Sequence, residues 1–188
     1  NLTSLVSGVS SAWLSTVTQN LQKENNELGI QPVSDYDASW ALSIGTVGAL
    51  AAMIIAPYLN ELLGRKKTII IQAILMINDW LLKLFATDFN FLLIAEVIAG
   101  VSFGLGMMIV PIYITEIASN SIRGSLGSFA LFGVKSGYLL GFVLAAVLPY
   151  HLRTGCTLIA PVIQILGMLL LPETPIYLIR NDKIEEAR

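Results

Sequence analysis

The chain has 188 residues, 55% hydrophobic and 13% charged, with a net charge of −2 at pH 7 and a mean hydropathy of +0.72. Soluble domains carry about 25% charged residues; here the apolar residues come in long blocks between short polar stretches, which excludes a disordered chain and points to a membrane protein. The near-neutral charge gives no electrostatic reason to expect nucleic acid, and Cys156, the sole cysteine, has no partner for an internal disulfide.

A helix crossing about 30 Å of hydrocarbon needs about 20 apolar residues. Six segments answer to that length. The first, 1–21, is weakened by its many Ser and Thr residues, and a polar, acidic loop follows it. The second spans 38–63, the third 68–86 and the fourth 91–117. The fifth spans 126–149 and the sixth 154–171. Pro57, Pro111 and Pro161 fall within or near the ends of these spans, where neighbouring helices can satisfy the freed backbone groups. The absence of an initiating Met and of a polar flank before the first span makes a fragment of a longer protein the expectation.

Six alternating spans bring three polar segments to one side: Gly64 to Lys67, the turn at Arg123, and the tail. That side holds Arg65, Lys66, Lys67, Arg123, Arg180, Lys183 and Arg188, against Lys23 and Arg153 on the other. The excess of Lys and Arg marks the first side as cytoplasmic, with both ends of the chain there. Residues 1–180 then form the transmembrane bundle and 181–188 begin a cytoplasmic linker.

Three clusters at the cytoplasmic helix ends repeat one chemical theme. Glu61-Leu62-Leu63-Gly64-Arg65-Lys66-Lys67 joins spans two and three. Pro111-Ile112-Tyr113-Ile114-Thr115-Glu116, followed by Arg123-Gly124-Ser125-Leu126-Gly127, joins spans four and five. Pro172-Glu173-Thr174-Pro175 follows span six. A topology signal accounts for Lys66 and Lys67, but not for three acids at matching depth. In this order and spacing the clusters make the chain resemble the amino-terminal six-helix half of a major facilitator sugar porter, most closely the insect facilitated trehalose transporter-like branch. The resemblance implies an all-α bundle of two inverted three-helix repeats and facilitated, uniporter-type transport of a sugar across the plasma membrane by alternating access. It implies as partners the lipid bilayer, a small sugar and a carboxy-terminal six-helix half, and it implies no cofactor. Carried over, Glu61, Gly64, Arg65, Glu116, Arg123 and Glu173 form a network that closes the cytoplasmic face. Ion pairs at a partly desolvated helix end can favour one packing of two bundles over another.

In span five, Gly133, Gly137, Gly141 and Ala145 recur every four residues, a smooth stripe for close helix packing. Leu131, Val134, Lys135, Tyr138 and Phe142 share the other face, which faces either a cavity or lipid. The resemblance chooses the cavity, and makes Leu131, Val134, Lys135 and Tyr138, with Ser10, Ser11 and Trp13 of span one, the expected substrate path. Two positions depart from the family: Leu131 stands where a sugar-binding Gln is common, and Lys135 replaces a small uncharged residue. Span one has Val9-Ser10 where proton-coupled porters carry an Asp, which favours facilitated diffusion. Asp79 and Lys83 share a helix face. Glu96 stands where an Arg is typical, and a Lys83–Glu96 ion pair is expected. The departures at 96, 131 and 135 keep open a non-transporting, transporter-derived sensor or interaction protein. His151 is too isolated for a His-based metal cluster, and no hydrolase, nucleotide-binding or metalloprotease motif is present, so no enzyme activity is expected.

Overall fold

The computed structural model describes residues 2–118, 123–171, 173, 174 and 177, with the backbone alone at Arg123. Among these residues there is no strand, and seven helices follow in order: α1 (Leu2–Leu21), α2 (Asp35–Leu63), α3 (Arg65–Leu84), α4 (Phe89–Ile117), α5 (Arg123–Val147), α6 (Tyr150–Thr157) and α7 (Ile159–Leu170). The last two are one apolar segment broken at Leu158, so the helices make six crossings. Pro161 causes the break: it has no N–H for the Thr157 carbonyl, and its ring crowds that carbonyl. The Leu158 N–H closes a tighter turn on the Gly155 carbonyl at 3.2 Å. The sixth crossing thus starts at Tyr150 rather than Thr154, and His151 and Arg153 belong to a helix rather than a loop.

Four helical segments are long and apolar enough to cross a membrane: α2, α4, 124–147 and 150–170. The two long helices outside this group sit inside the bundle and carry its polar side chains. Hydroxyls of α1 are satisfied one turn back, Ser7 on the Thr3 carbonyl at 2.9 Å and Thr18 on that of Leu14 at 2.7 Å. Arg65, Asp79 and Lys83 of α3 form ion pairs, as described below. Large apolar side chains are exposed on other helices, among them Ile54 and Tyr58 of α2, Leu139 and Val147 of α5, and Leu166 and Leu170 of α7. Such apolar exposure belongs in hydrocarbon, not in water.

Helix α2 starts at Ser34, whose Oγ accepts the Asp37 N–H at 3.2 Å, with Asp35 and Asp37 favourably placed in the first turn. It ends at Gly64, the single residue between α2 and α3, whose φ of 89° is a left-handed value suited to glycine. The two most extensive helix contacts are α2 on α4 and α1 on α5. Exchanging α1 with α4 and α2 with α5 carries one pair onto the other, as a bundle of two three-helix repeats requires. Both contacts are made by glycines. A Cβ on Gly100 or Gly104 would collide with the Gly45 or Ala49 backbone, and one on Gly137 with the Leu5 carbonyl. Close backbone approach supplies the packing that a hydrophobic effect between helices cannot supply in lipid. Helix α3 packs behind α4 and against α7. At one end of the bundle Trp13, Trp80, Tyr150 and Met76 form a core, and at the other Ala56, Ile69, Ile109 and Tyr113 form a second.

Candidate functional site

At the Arg65 end, three helix termini converge. The first turn of α3 carries Arg65, Lys66 and Lys67 and no acid, an unfavourable arrangement against the positive end of the helix dipole. Groups distant in sequence compensate it. Arg65 donates to Glu116 Oε1 from Nη2 at 3.0 Å and from Nε at 3.3 Å, and from Nη1 to the Asn60 carbonyl at 3.3 Å. Glu173 Oε1 accepts the backbone N–H of Lys66 at 2.9 Å and that of Thr174 at 3.1 Å, so a residue beyond α7 caps α3. Lys66 Nζ in turn donates to the carbonyls of Leu169 and Leu171 at 3.1 and 2.6 Å, at the negative end of α7. Gly64 is required twice, since a Cβ there would also lie 2.7 Å from Glu173 Oε2. The structure thus brings Gly64, Arg65, Glu116 and Glu173 together. It does not bring in Glu61, which is exposed, lines a small pocket with Arg65 and has no ion pair among the described residues. The side chain of Arg123, and Pro172, Pro175 and 178–188 with the expected linker, lie outside the described residues.

At the opposite end a second charged cluster is buried. Lys83 is 0% exposed, with Nζ at 2.8 Å from Glu96 Oε1 and 2.9 Å from Asp79 Oδ1. The faces of Trp13 and Trp80 lie 4.8 and 5.0 Å from the ammonium. The expected Lys83–Glu96 pair is present, and the structure widens it into a triad that ties α3 to α4, with α1 supplying an aromatic wall. Arg153 Nη2 meets Glu27 at 2.6 Å, fastening the loop after α1 to α6.

Between these ends runs a polar track. Helix α1 turns Ser4, Ser7, Ser11, Ser15 and Thr18 to one side, at the three- and four-residue spacing of a single helix face. This face lines three successive pockets. Ser15, Thr18 and Gln19 face Asp35, Ser39 and Leu42 of α2 across about 270 Å³. Ser7, Ser10, Ser11 and Leu14 face Leu42, Thr46, Asp79 and Glu96 across about 220 Å³. Thr3, Ser4 and Ser7 face Phe103, Pro111, Leu131 and Val134 across about 350 Å³. Leu42 is shared by the first two pockets and Ser7 by the last two, so they adjoin. The Ser and Thr content that weakens the first span in sequence is the signal of this track.

Of the expected path residues, Ser10, Ser11, Leu131 and Val134 line the track. Trp13 does not. It lies roughly opposite Ser11 on α1, is 3% exposed, donates its indole N–H to Thr154 Oγ1 at 3.0 Å and meets Trp80 edge-on. It is a core residue, and its place on the path is corrected. On α5, Gly137 and Gly141 pack against α1 and leave Leu131, Lys135 and Tyr138 exposed on the far face. Lys135 stands midway between Arg123 and Val147, about 18 Å from either end at 1.5 Å per residue. From that depth an ammonium does not reach the headgroups, and lipid is an expensive place for it.

The family model described as "Sugar (and other) transporter" matches residues 2–188. The chain is 33% identical over 165 residues to the sugar transporter ERD6-like 6 of Arabidopsis thaliana, covering 85% of this chain and 32% of the relative. It is 32% identical over 188 residues to the facilitated trehalose transporter Tret1 of Drosophila grimshawi, covering 100% of this chain and 20% of that one. To the facilitated glucose transporter member 8 of Mus musculus it is 30% identical over 155 residues, or 82% of this chain and 32% of the relative. The chain therefore spans about a third or less of these relatives. The fold is that of the proton:xylose symporter XylE bound to 6-bromo-6-deoxy-D-glucose, with a TM-score of 0.80 at 20% identity over 99% of this chain and 46% of that chain. The partially occluded inward-open XylE of E. coli matches with a TM-score of 0.80 at 22% identity, over 99% of this chain and 51% of that one. With its six crossings, paired repeats and a family match along nearly its whole length, the chain belongs to the sugar transporter family.

Proposed function

We propose that this chain forms one wall of a facilitated sugar transporter of the plasma membrane, with a carboxy-terminal six-helix half supplying the other wall. The observation that carries the reading is the hydroxyl track of α1, which lines three adjoining pockets. A polyol crossing hydrocarbon must exchange its water for other hydrogen-bonding groups, and a ladder of Ser and Thr hydroxyls offers them in sequence. The exposed Lys135 at mid-depth supports an aqueous boundary on the neighbouring face of α5. The names of the relatives, trehalose and glucose transporters among them, favour a neutral sugar. Alternating access then rocks the two halves about the path. The Arg65 end faces the cytoplasm, where Arg65–Glu116 and the Glu173 cap hold the helix ends in the packing that closes it. Saturable uptake of labelled glucose or trehalose into transport-deficient cells by the full-length parent, lost when Ser11→Trp fills the track, is the expected result. Absence of uptake at verified surface expression would favour a sensor or interaction protein instead.

A further inference from the structure

Among the described residues, the middle and inner pockets of the track meet at two side chains, Ser7 of α1 and Phe103 of α4. The linings change character across that line. On the Lys83 side, Ser10, Ser11, Thr46, Asp79 and Glu96 offer polar atoms around about 220 Å³. On the Arg65 side, Met107, Val110, Pro111, Leu131 and Val134 make a mainly apolar wall around about 350 Å³. Ser7 is small, and its Oγ is held on the Thr3 carbonyl at 2.9 Å. The Phe103 ring, 44% exposed, is therefore the one bulky group at the junction.

The backbone that carries this ring has little room to retreat. Gly100 and Gly104, on either side of Phe103, seat α4 directly on the Gly45 and Ala49 backbone of α2. Ser102 Oγ accepts from Gln72 Nε2 at 3.1 Å and donates to the Gln72 carbonyl at 3.0 Å, fixing α4 to α3. Across the junction Gly8, next to Ser7, seats α1 on the backbone of Val134 and Gly137 in α5. Close-packed helices transmit a push rather than absorb it, so rotation of the ring about its own side-chain bonds is the freedom that remains. Along α1 the middle pocket runs from Ser7 to Leu14, about 10 Å at 1.5 Å per residue. That length holds one sugar ring but not two linked in line.

We propose that Phe103 is a size-selecting residue of the transport path, which favours a monosaccharide over a disaccharide. The proposal rests on the transport reading and chooses between two sugar sizes which that reading leaves open. A single sugar ring lies wholly on one side of the Phe103 ring. A disaccharide has to lie across it, and the pinned helices on both sides do not widen to admit it. Selection acts through bulk, not through hydrogen bonds, which a phenyl side chain does not supply.

Glucose and trehalose test this directly, since trehalose is two joined glucose units and differs in size rather than in chemistry. Each competes, unlabelled, against labelled glucose for uptake by the full-length parent in transport-deficient cells. Trehalose competes about tenfold more weakly than glucose, or worse, in the parent. Phe103→Ala narrows that ratio to within about threefold and leaves KM for glucose within about threefold of the parent value. The gentler Phe103→Leu narrows it by about threefold, and keeps the test open should the alanine variant fail to reach the surface. Met107→Ala removes bulk from α4 one turn away, in the inner pocket alone, and leaves the ratio unchanged. A ratio that does not move in the expressed Phe103 variants, or that moves equally in Met107→Ala, overturns the size selection. So does a parent that accepts trehalose as readily as glucose; in each case glucose uptake itself leaves the transport reading standing. A parent that takes up neither sugar overturns both.

Discussion

Replacing Lys83 with glutamine leaves Asp79 and Glu96, 1% and 5% exposed, facing each other without a counter-charge. Removing one partner of a buried ion pair costs about 3–5 kcal/mol, and here the removed partner serves two acids at 2.9 and 2.8 Å. Glu96→Gln is different. It keeps the Lys83–Asp79 pair, loses one charge-assisted contact of about 1.5–3 kcal/mol, and relieves the formal excess of negative charge, which offsets part of that loss. Lys83→Gln therefore costs more than Glu96→Gln, by about 2 kcal/mol. Adding Glu96→Gln to Lys83→Gln removes a charge that the first change left unpaired, so the double variant costs less than the sum, by about 1 kcal/mol or more. The combination Asp79→Asn, Lys83→Met and Glu96→Gln removes every charge and recovers much of the loss. At about 2–4 °C per kcal/mol for a domain of this size, the unfolding midpoint of the detergent-purified parent protein resolves the order. Equal losses for Lys83→Gln and Glu96→Gln, or strict additivity in the double variant, would refute the reasoning.

Three further outcomes are expected. Gly100→Leu forces a side chain into the Gly45 backbone and abolishes the folded α2–α4 contact, whereas Gly124→Ala, where a Cβ meets open space, leaves expression unchanged; size-exclusion profiles of the two variants report the difference. Gly64→Ala places a residue with a Cβ at φ 89° and against Glu173 Oε2, costing about 1–3 kcal/mol from backbone strain alone, and lowers the unfolding midpoint more than Lys67→Ala does. Lys135→Leu, at an exposed position with no ion pair among the described residues, leaves that midpoint within about 2 °C of the parent, since surface changes stay within about 0.5 kcal/mol, yet changes the uptake rate; an unchanged rate would remove Lys135 from the path.

The fold was legible in sequence to the extent that single elements announce themselves. Long apolar blocks in α2, α4 and α5 read directly as spans, and the glycine repeat in α5 located a packing face that the structure fills with α1. The counterpart face on α2 and α4 was harder to read, because Gly45, Gly48, Gly100 and Gly104 come from helices distant in sequence and only their meeting makes an interface. Charged residues were legible where a partner lies one turn away or on the next helix, as for Lys83 with Asp79 and Glu96. Glu173, reaching across 107 residues to cap α3 at Lys66, leaves no local signal; the motif resemblance placed it in the network without its role. Trp13 was misplaced for a related reason. An aromatic beside serines suggests sugar stacking, but the helical turn carries it away from Ser11 and into the Trp80–Tyr150 core. The break at Leu158 follows from Pro161, a visible signal whose effect falls three residues upstream.

Accessibility of α1 in the full-length parent tests the central claim most directly. Single cysteines at 4, 7, 11 and 15 and, as the opposite face, at 6, 9, 12 and 13, placed in a Cys156→Ser background, are treated with a water-soluble thiol reagent with and without sugar. The transport account predicts labelling at 4, 7, 11 and 15, slowed by glucose or trehalose, and protection at 6, 9, 12 and 13. Labelling on the buried face, or labelling along the serine face that no sugar slows, would contradict it.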